Sequence, residues 1–138
     1  MRVVEFEGSF DKEKNISFVK FINTPKSKED IDYFISNTLP LWEGDGVHKC
    51  WNITDLTGLG KAPPSLVIYY NKQVKPYIKK HLENYVVIAG SVLEKVATSL
   101  FNTFMGERHP IVSTLDEAME IVKKWQAEKG VFSTKIGE

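Results

Sequence analysis

The chain has 138 residues, 42% hydrophobic and 26% charged, with 18 basic residues against 18 acidic ones and one cysteine. That length suits a single domain with a sizeable core, and the zero net charge argues against a whole-domain footprint for nucleic acid. The lone Cys50 excludes an internal disulfide and suits a reducing, cytoplasmic setting. No stretch approaches the roughly 20 apolar residues needed to span a bilayer, and the opening MRVVEFEGSF lacks the apolar run of a signal peptide. Neither stable membrane insertion nor a nucleic-acid partner is therefore expected.

From Arg2 to Glu7, Val4 and Phe6 alternate with Glu5 and Glu7, the period of a strand with one wet face. Gly8 to Asn15 is charged and turn-like, and Ile16 to Ile22 alternates again, so an antiparallel hairpin is predicted. Ser27 opens a helix with Asp30 in its first turn, and Ile31, Phe34, Ile35 and Thr38 share one face. Pro40 is predicted to end it, since the ring clashes with the preceding turn.

A turn at Glu43-Gly44-Asp45-Gly46 leads into a third strand, Val47 to Leu56. A polar, glycine-bearing loop follows, then Ala62-Pro63-Pro64, where proline suits a first helical turn. Val67, Tyr70, Val74, Ile78 and Leu82 recur every three or four residues, and Pro76 predicts a kink or two short helices there. Tyr85 to Gly90 is a continuous β-branched run, the mark of a central parallel strand buried on both faces.

Ser91 and Glu94 form a capping box for a helix that carries Leu93, Val96, Ala97, Leu100, Phe101 and Phe104 and closes at Gly106. Ile111 and Val112 make a short last strand. Thr114 and Glu117 form a second capping box, for a helix that runs past Trp125 to Gly130. The predicted order is β-β-α-β-α-β-α-β-α. Right-handed crossovers make this an α/β fold, a mostly parallel sheet with an antiparallel N-terminal edge hairpin and helices packed on it. Residues 1–130 are expected to form the domain and 131–138 a C-terminal tail.

In this order, and in Asp55-Leu56-Thr57-Gly58-Leu59-Gly60 after the third strand, the chain resembles the STAS domain of anti-sigma-factor antagonists (the SpoIIAA-like fold). It looks more similar still to a branch of small bacterial STAS/lipid-carrier-like proteins, whose strand-end motif and final helix match Asp55 to Gly58 and Thr114 to Trp125. The resemblance implies a non-catalytic regulatory module that binds a protein partner, with Thr57 as the phosphoacceptor of a partner kinase. Leu56 stands where the regulatory proteins carry their first hydroxyl, and Lys61 to Pro64 lengthens the loop before the next helix.

The expected partner-binding residues are thus Asp55, Thr57, Gly58, Leu59, Gly60 and Lys61. Read from residue chemistry alone, Asp55 and Thr57 equally suit a turn whose backbone N–H groups they accept from, and Gly58 and Gly60 suit backbone angles that other residues resist. The alternative function is a carrier that holds a lipid or other apolar ligand between sheet and helices, with Trp42, Trp51, Tyr70 and Phe101 lining the pocket. His48 and Cys50, two apart on a strand, share a face, but no further Cys or clustered His completes a metal set. No acid–base pair or triad is visible, so no enzyme, cofactor or metal is expected. A homodimer through an edge strand or an aromatic helix face is compatible with the pattern.

Overall fold

Residues 4–60, 63–90 and 109–137 are described in a computed structural model. The N-terminal hairpin forms, but its first strand lies further along the chain than the alternation predicts. β1 (Phe6–Asp11) pairs antiparallel with β2 (Ile16–Phe21), Gly8 opposite Val19 and Asp11 opposite Ile16. The turn sets this register. Asp11 Oδ1 accepts from the backbone N–H groups of Glu13 and Lys14 at 3.0 Å each, and Asn15 takes a left-handed φ of 55°, a conformation Asn tolerates better than most residues. The charged tip shrinks to residues 12–15, and Gly8-Ser9-Phe10 joins the edge strand.

α1 (Lys28–Trp42) starts as expected, with Ser27 Oγ accepting from Asp30 N–H at 3.1 Å. Pro40 does not end it. This proline sits in the last turn, where it removes one hydrogen bond, and Glu43 N–H donates to Leu39 O at 3.1 Å to close the helix beyond it. α2 (Pro64–His81) is likewise one helix of 18 residues across Pro76. An interior proline costs about 3 kcal/mol, yet Pro76 points to solvent, and Val74 and Ile78 are buried on either side of it. Packing of that stripe outweighs the lost bond. β4 (Leu82–Ile88) follows without a linker, three residues earlier than the β-branched run suggests. β5 (Ile111–Val112) and α3 (Leu115–Lys129) complete the described elements, with Thr114 Oγ1 capping Glu117 N–H at 3.2 Å. The helix predicted from Ser91 to Gly106 lies outside the described residues, as do Arg2 and Lys61.

The sheet order is β1-β2-β3-β4-β5, with β3 (Cys50–Asp55) at the centre, and every pairing except β1–β2 is parallel. This is the mixed α/β sheet with an antiparallel edge that the element order predicts. α1 and α2 cover one face, where Phe21 stacks on Phe34 at 4.1 Å above Val19, Cys50, Tyr85 and Val87. α3 covers the other, setting Ala118 and Val122 on Ile16, Trp51, Ile53, Val86 and Ile88, with Trp125 stacked on Trp51 at 5.8 Å.

β3 begins at Cys50 rather than Val47. Residues 47–49 pair instead with the C-terminal segment. Lys49 N–H donates to Thr134 O and Ile136 N–H to Val47 O, both at 2.8 Å, and His48 bridges Lys135 antiparallel.

Candidate functional site

Parallel strands bring their carboxyl ends to one edge of the sheet, and the crevice beyond that edge is where open α/β sheets meet ligands. Here the edge carries the turn after β3. Leu56 N–H donates to Ile88 O at 2.8 Å, which ties the start of the turn to the end of β4. Asp55, only 9% exposed, directs Oδ1 into the turn and accepts from both the Thr57 N–H (2.8 Å) and the Thr57 hydroxyl (2.6 Å). Leu59 N–H closes the turn onto Leu56 O at 2.9 Å, and its own carbonyl accepts from the Thr24 hydroxyl at 2.5 Å.

The glycines hold this loop down by two different means. A Cβ on Gly58 would lie 2.2 Å from Phe21 O and 2.8 Å from Ile22 O, so the loop backbone rests on the backbone that ends β2. Gly58 is therefore a close-approach glycine, where the sequence suggested an angular one. Gly60, with φ +64°, is the residue that needs backbone freedom. In the result Leu59 is 7% exposed and points inward, while Thr57 and Gly60 face solvent. The arrangement offers a hydroxyl at a fixed position, with a buried carboxylate immediately beneath it. Lys61 lies outside the described residues.

Under this loop, between the sheet and α1–α2, lies a cavity of about 70 Å³. Leu56 and Leu59 form its wall on the loop side, Trp42 and Tyr70 approach from the helices, and Asn52 and Thr54 are its floor. Two of the four residues assigned to a pocket from sequence therefore meet. Trp51 does not join them. It is the odd member of the β3 alternation and packs under α3, its indole N–H donating to Val131 O at 3.3 Å. Phe101 lies outside the described residues.

The floor and α2 hold what the sequence reading missed. Asn52 Nδ2 donates to Ser17 Oγ at 2.9 Å and Thr54 Oγ1 to Asn52 Oδ1 at 2.6 Å, a polar ladder inside a buried sheet face. Asn71, 2% exposed, joins the cavity wall from α2. The signal was present, since residue 71 falls on the apolar stripe, four residues after Val67 and three before Val74, where an amide is out of place.

His48 and Cys50 are not brought together. His48 Nδ1 lies 2.9 Å from Asp45 Oδ2, with the ring edge-on to Phe132. The Cys50 thiol donates to Trp42 O at 3.2 Å, and burial pushes it up to about 11, far from a reactive thiolate. Among the described residues no group of three or more His, Cys, Asp or Glu is placed to hold a metal ion, and no helix is long and apolar enough to cross a membrane.

A five-stranded sheet with an antiparallel leading hairpin, the rest parallel, and three described helices is consistent with the SpoIIAA-like architecture. The crystal structure of an uncharacterized protein of the DUF3478 family with a SpoIIAA-like fold, from Shewanella loihica PV-4, superposes with a TM-score of 0.63. The match covers 88% of this chain and 95% of that one at 12% identity, a likeness of fold alone. No family model matches the sequence, and no curated protein is similar to it.

Proposed function

We propose that this domain is a non-catalytic recognition module that engages a protein partner through the loop Asp55, Thr57, Gly58, Leu59, Gly60 and Lys61, with phosphorylation of Thr57 as its switch. The observation that carries this reading is the seating of Thr57, exposed on a loop whose backbone is held by Asp55, by Leu56 and by the absence of a Cβ at Gly58. A pre-organised loop loses little entropy when a partner settles on it. The Thr57 hydroxyl donates to Asp55 at 2.6 Å. A phosphoryl group placed there by a kinase, from a nucleoside triphosphate, would replace that donor with about two negative charges beside a carboxylate. Repulsion would then lift Thr57 off its anchor and change the surface that the partner meets.

The test is site-specific photocrosslinking in the cells that make the protein, with the crosslinker at position 57 and, as control, at the exposed Lys124 on α3. One defined partner captured from position 57 and not from 124 is the expected result. The same pattern from both positions, or none from 57, sinks the reading. Phosphopeptide mass spectrometry on the unmodified protein from the same cells tests the switch, which falls if Thr57 carries no phosphate and an affinity-tagged Thr57→Ala chain co-purifies the partner unchanged.

A second reading, a small-molecule carrier, is favoured by one observation, the apolar-walled cavity with Trp42 and Tyr70 in its lining. Its volume is well below the roughly 300 Å³ of drug-sized pockets, which points to a compact ligand rather than an acyl chain.

A further inference from the structure

The charges of this chain balance overall, but they are not spread evenly over the fold. α2 carries Lys72, Lys75, Lys79 and Lys80 and none of the 18 acidic residues. Its inner side, Leu66, Asn71, Val74 and Ile78, is buried, and helical geometry then fixes what the outer side presents. Ile68, Lys72, Lys75 and Lys79 recur at spacings of four, three and four residues, which aligns them on one ridge about 16 Å long. Lys72, Lys79 and Lys80 are exposed, and none of the three has an ion-pair partner among the described residues. The carboxylates that border the ridge are turned to other groups. Asp32 accepts from the Tyr69 hydroxyl, and Glu43 acts on His81. Ile68 stands 49% exposed at the head of the ridge. Ammonium groups gathered on one side of a rigid helix hold a positive field that nothing else on the helix offsets. Lysine is a compact point charge that suits the diffuse negative field over anionic lipid headgroups, and an exposed isoleucine gains by entering the headgroup boundary. A nucleic acid would reward arginine forks and stacking aromatic side chains, and the ridge holds neither.

We propose that the outer ridge of α2, Ile68, Lys72, Lys75 and Lys79 with Lys80 beside it, is a docking surface for an anionic lipid bilayer, on which the domain rests without inserting. The surface is independent of the loop reading and of the cavity. The experiment is co-sedimentation of the whole chain with vesicles of phosphatidylcholine alone and of phosphatidylcholine with about 30% phosphatidylserine. The expected result is saturable partition into the anionic vesicles only, lost as salt rises from about 0.1 M to about 1 M and the screening length falls from about 10 Å to about 3 Å. Each lysine near the surface contributes about fivefold in partition, so Lys72→Gln with Lys79→Gln should lower it about 25-fold. Lys123→Gln with Lys124→Gln, exposed on α3 across the sheet, should leave it unchanged. Ile68→Ser should lower it about threefold, and a single-stranded RNA at equal phosphate concentration should not displace the protein from the vesicles. Displacement by the RNA overturns the lipid surface in favour of any polyanion. Equal losses from the α2 and α3 pairs make the attraction a property of the whole surface and overturn the ridge. Absence of partition into the anionic vesicles overturns the proposal outright.

Discussion

On the α3 side of the sheet, β3 presents Trp51 and Ile53 to Ala118, Val122 and Trp125, and that cluster is apolar throughout. On the α1–α2 side the same strand presents Cys50, Asn52 and Thr54, with a cavity of about 70 Å³ above them. Alternate residues of one strand thus serve opposed ends. The α3 side contributes burial and little else. The α1–α2 side keeps polar groups and space inside the protein, both of which lower stability unless something uses them. The loop Asp55–Gly60 sits at the end of that second face, with Leu56 and Leu59 in the cavity wall.

The comparison breaks first at Ile53, which is 1% exposed in the dry cluster. Ile53→Ala is expected to cost about 2–5 kcal/mol, read as a lower midpoint in urea denaturation. A cost below about 1 kcal/mol would mean that the α3 side is not close-packed. Adding volume should sharpen the contrast, because its sign differs between the faces. Ala118→Val pushes two methyl groups into the packed side and should cost about 1–3 kcal/mol. Val67→Ile adds one at the cavity and should be neutral or stabilising by up to about 0.8 kcal/mol. The same sign for both variants would remove the difference between the faces.

The smallest effect lies at the margin of the α3 side. Burial pushes the Glu83 carboxyl up, but the Lys129 ammonium and the Thr134 and Ser133 hydroxyls outweigh it and hold it below its ordinary 4.5. A carboxyl with a lowered folded pKa contributes stability that is present above the unfolded value and lost as pH falls through the folded one. Thermal unfolding of Glu83→Gln should therefore lose less stability than the parent chain as pH drops below 4.5. Parallel curves for the two proteins would show that the carboxyl makes no net favourable contact.

Much of this fold is legible in the residues, because the chain marks its boundaries with local chemistry. Ser27 and Thr114 both cap helices where their spacing to Asp30 and Glu117 says they should. The β-branched run after Asn84 is the inner strand that it resembles. What misleads is punctuation that tertiary packing overrides. Pro40 and Pro76 each break a local rule at a helix position facing away from the core, where the rest of the helix buries enough to keep it whole. The candidate loop is legible as a turn, since Asp55, Thr57 and the glycines announce it. Its seating on the end of β2 is not, because Phe21 and Gly58 are far apart in sequence and meet only through parallel pairing. The pocket is half legible. Strand alternation already separates Trp51 from Asn52 and Thr54, but which helices cover which face is decided by the crossovers.

The segment after Gly130 places a boundary where the helix pattern does not. Val131 O accepts from the Asn15 carboxamide at 2.8 Å and from the Trp51 indole, and Thr134 O from Lys49 N–H. A chain cut after Gly130 would keep every described helix and every sheet strand, yet it would take from the buried Asn15 carboxamide one of its two acceptors, leaving Lys49 O, and from the Trp51 indole under α3 the carbonyl it donates to. Backbone hydrogen bonds to the body of the fold therefore continue as far as Ile136, and a tag or fusion joined at residue 130 would remove contacts made inside the fold as well as an exposed end.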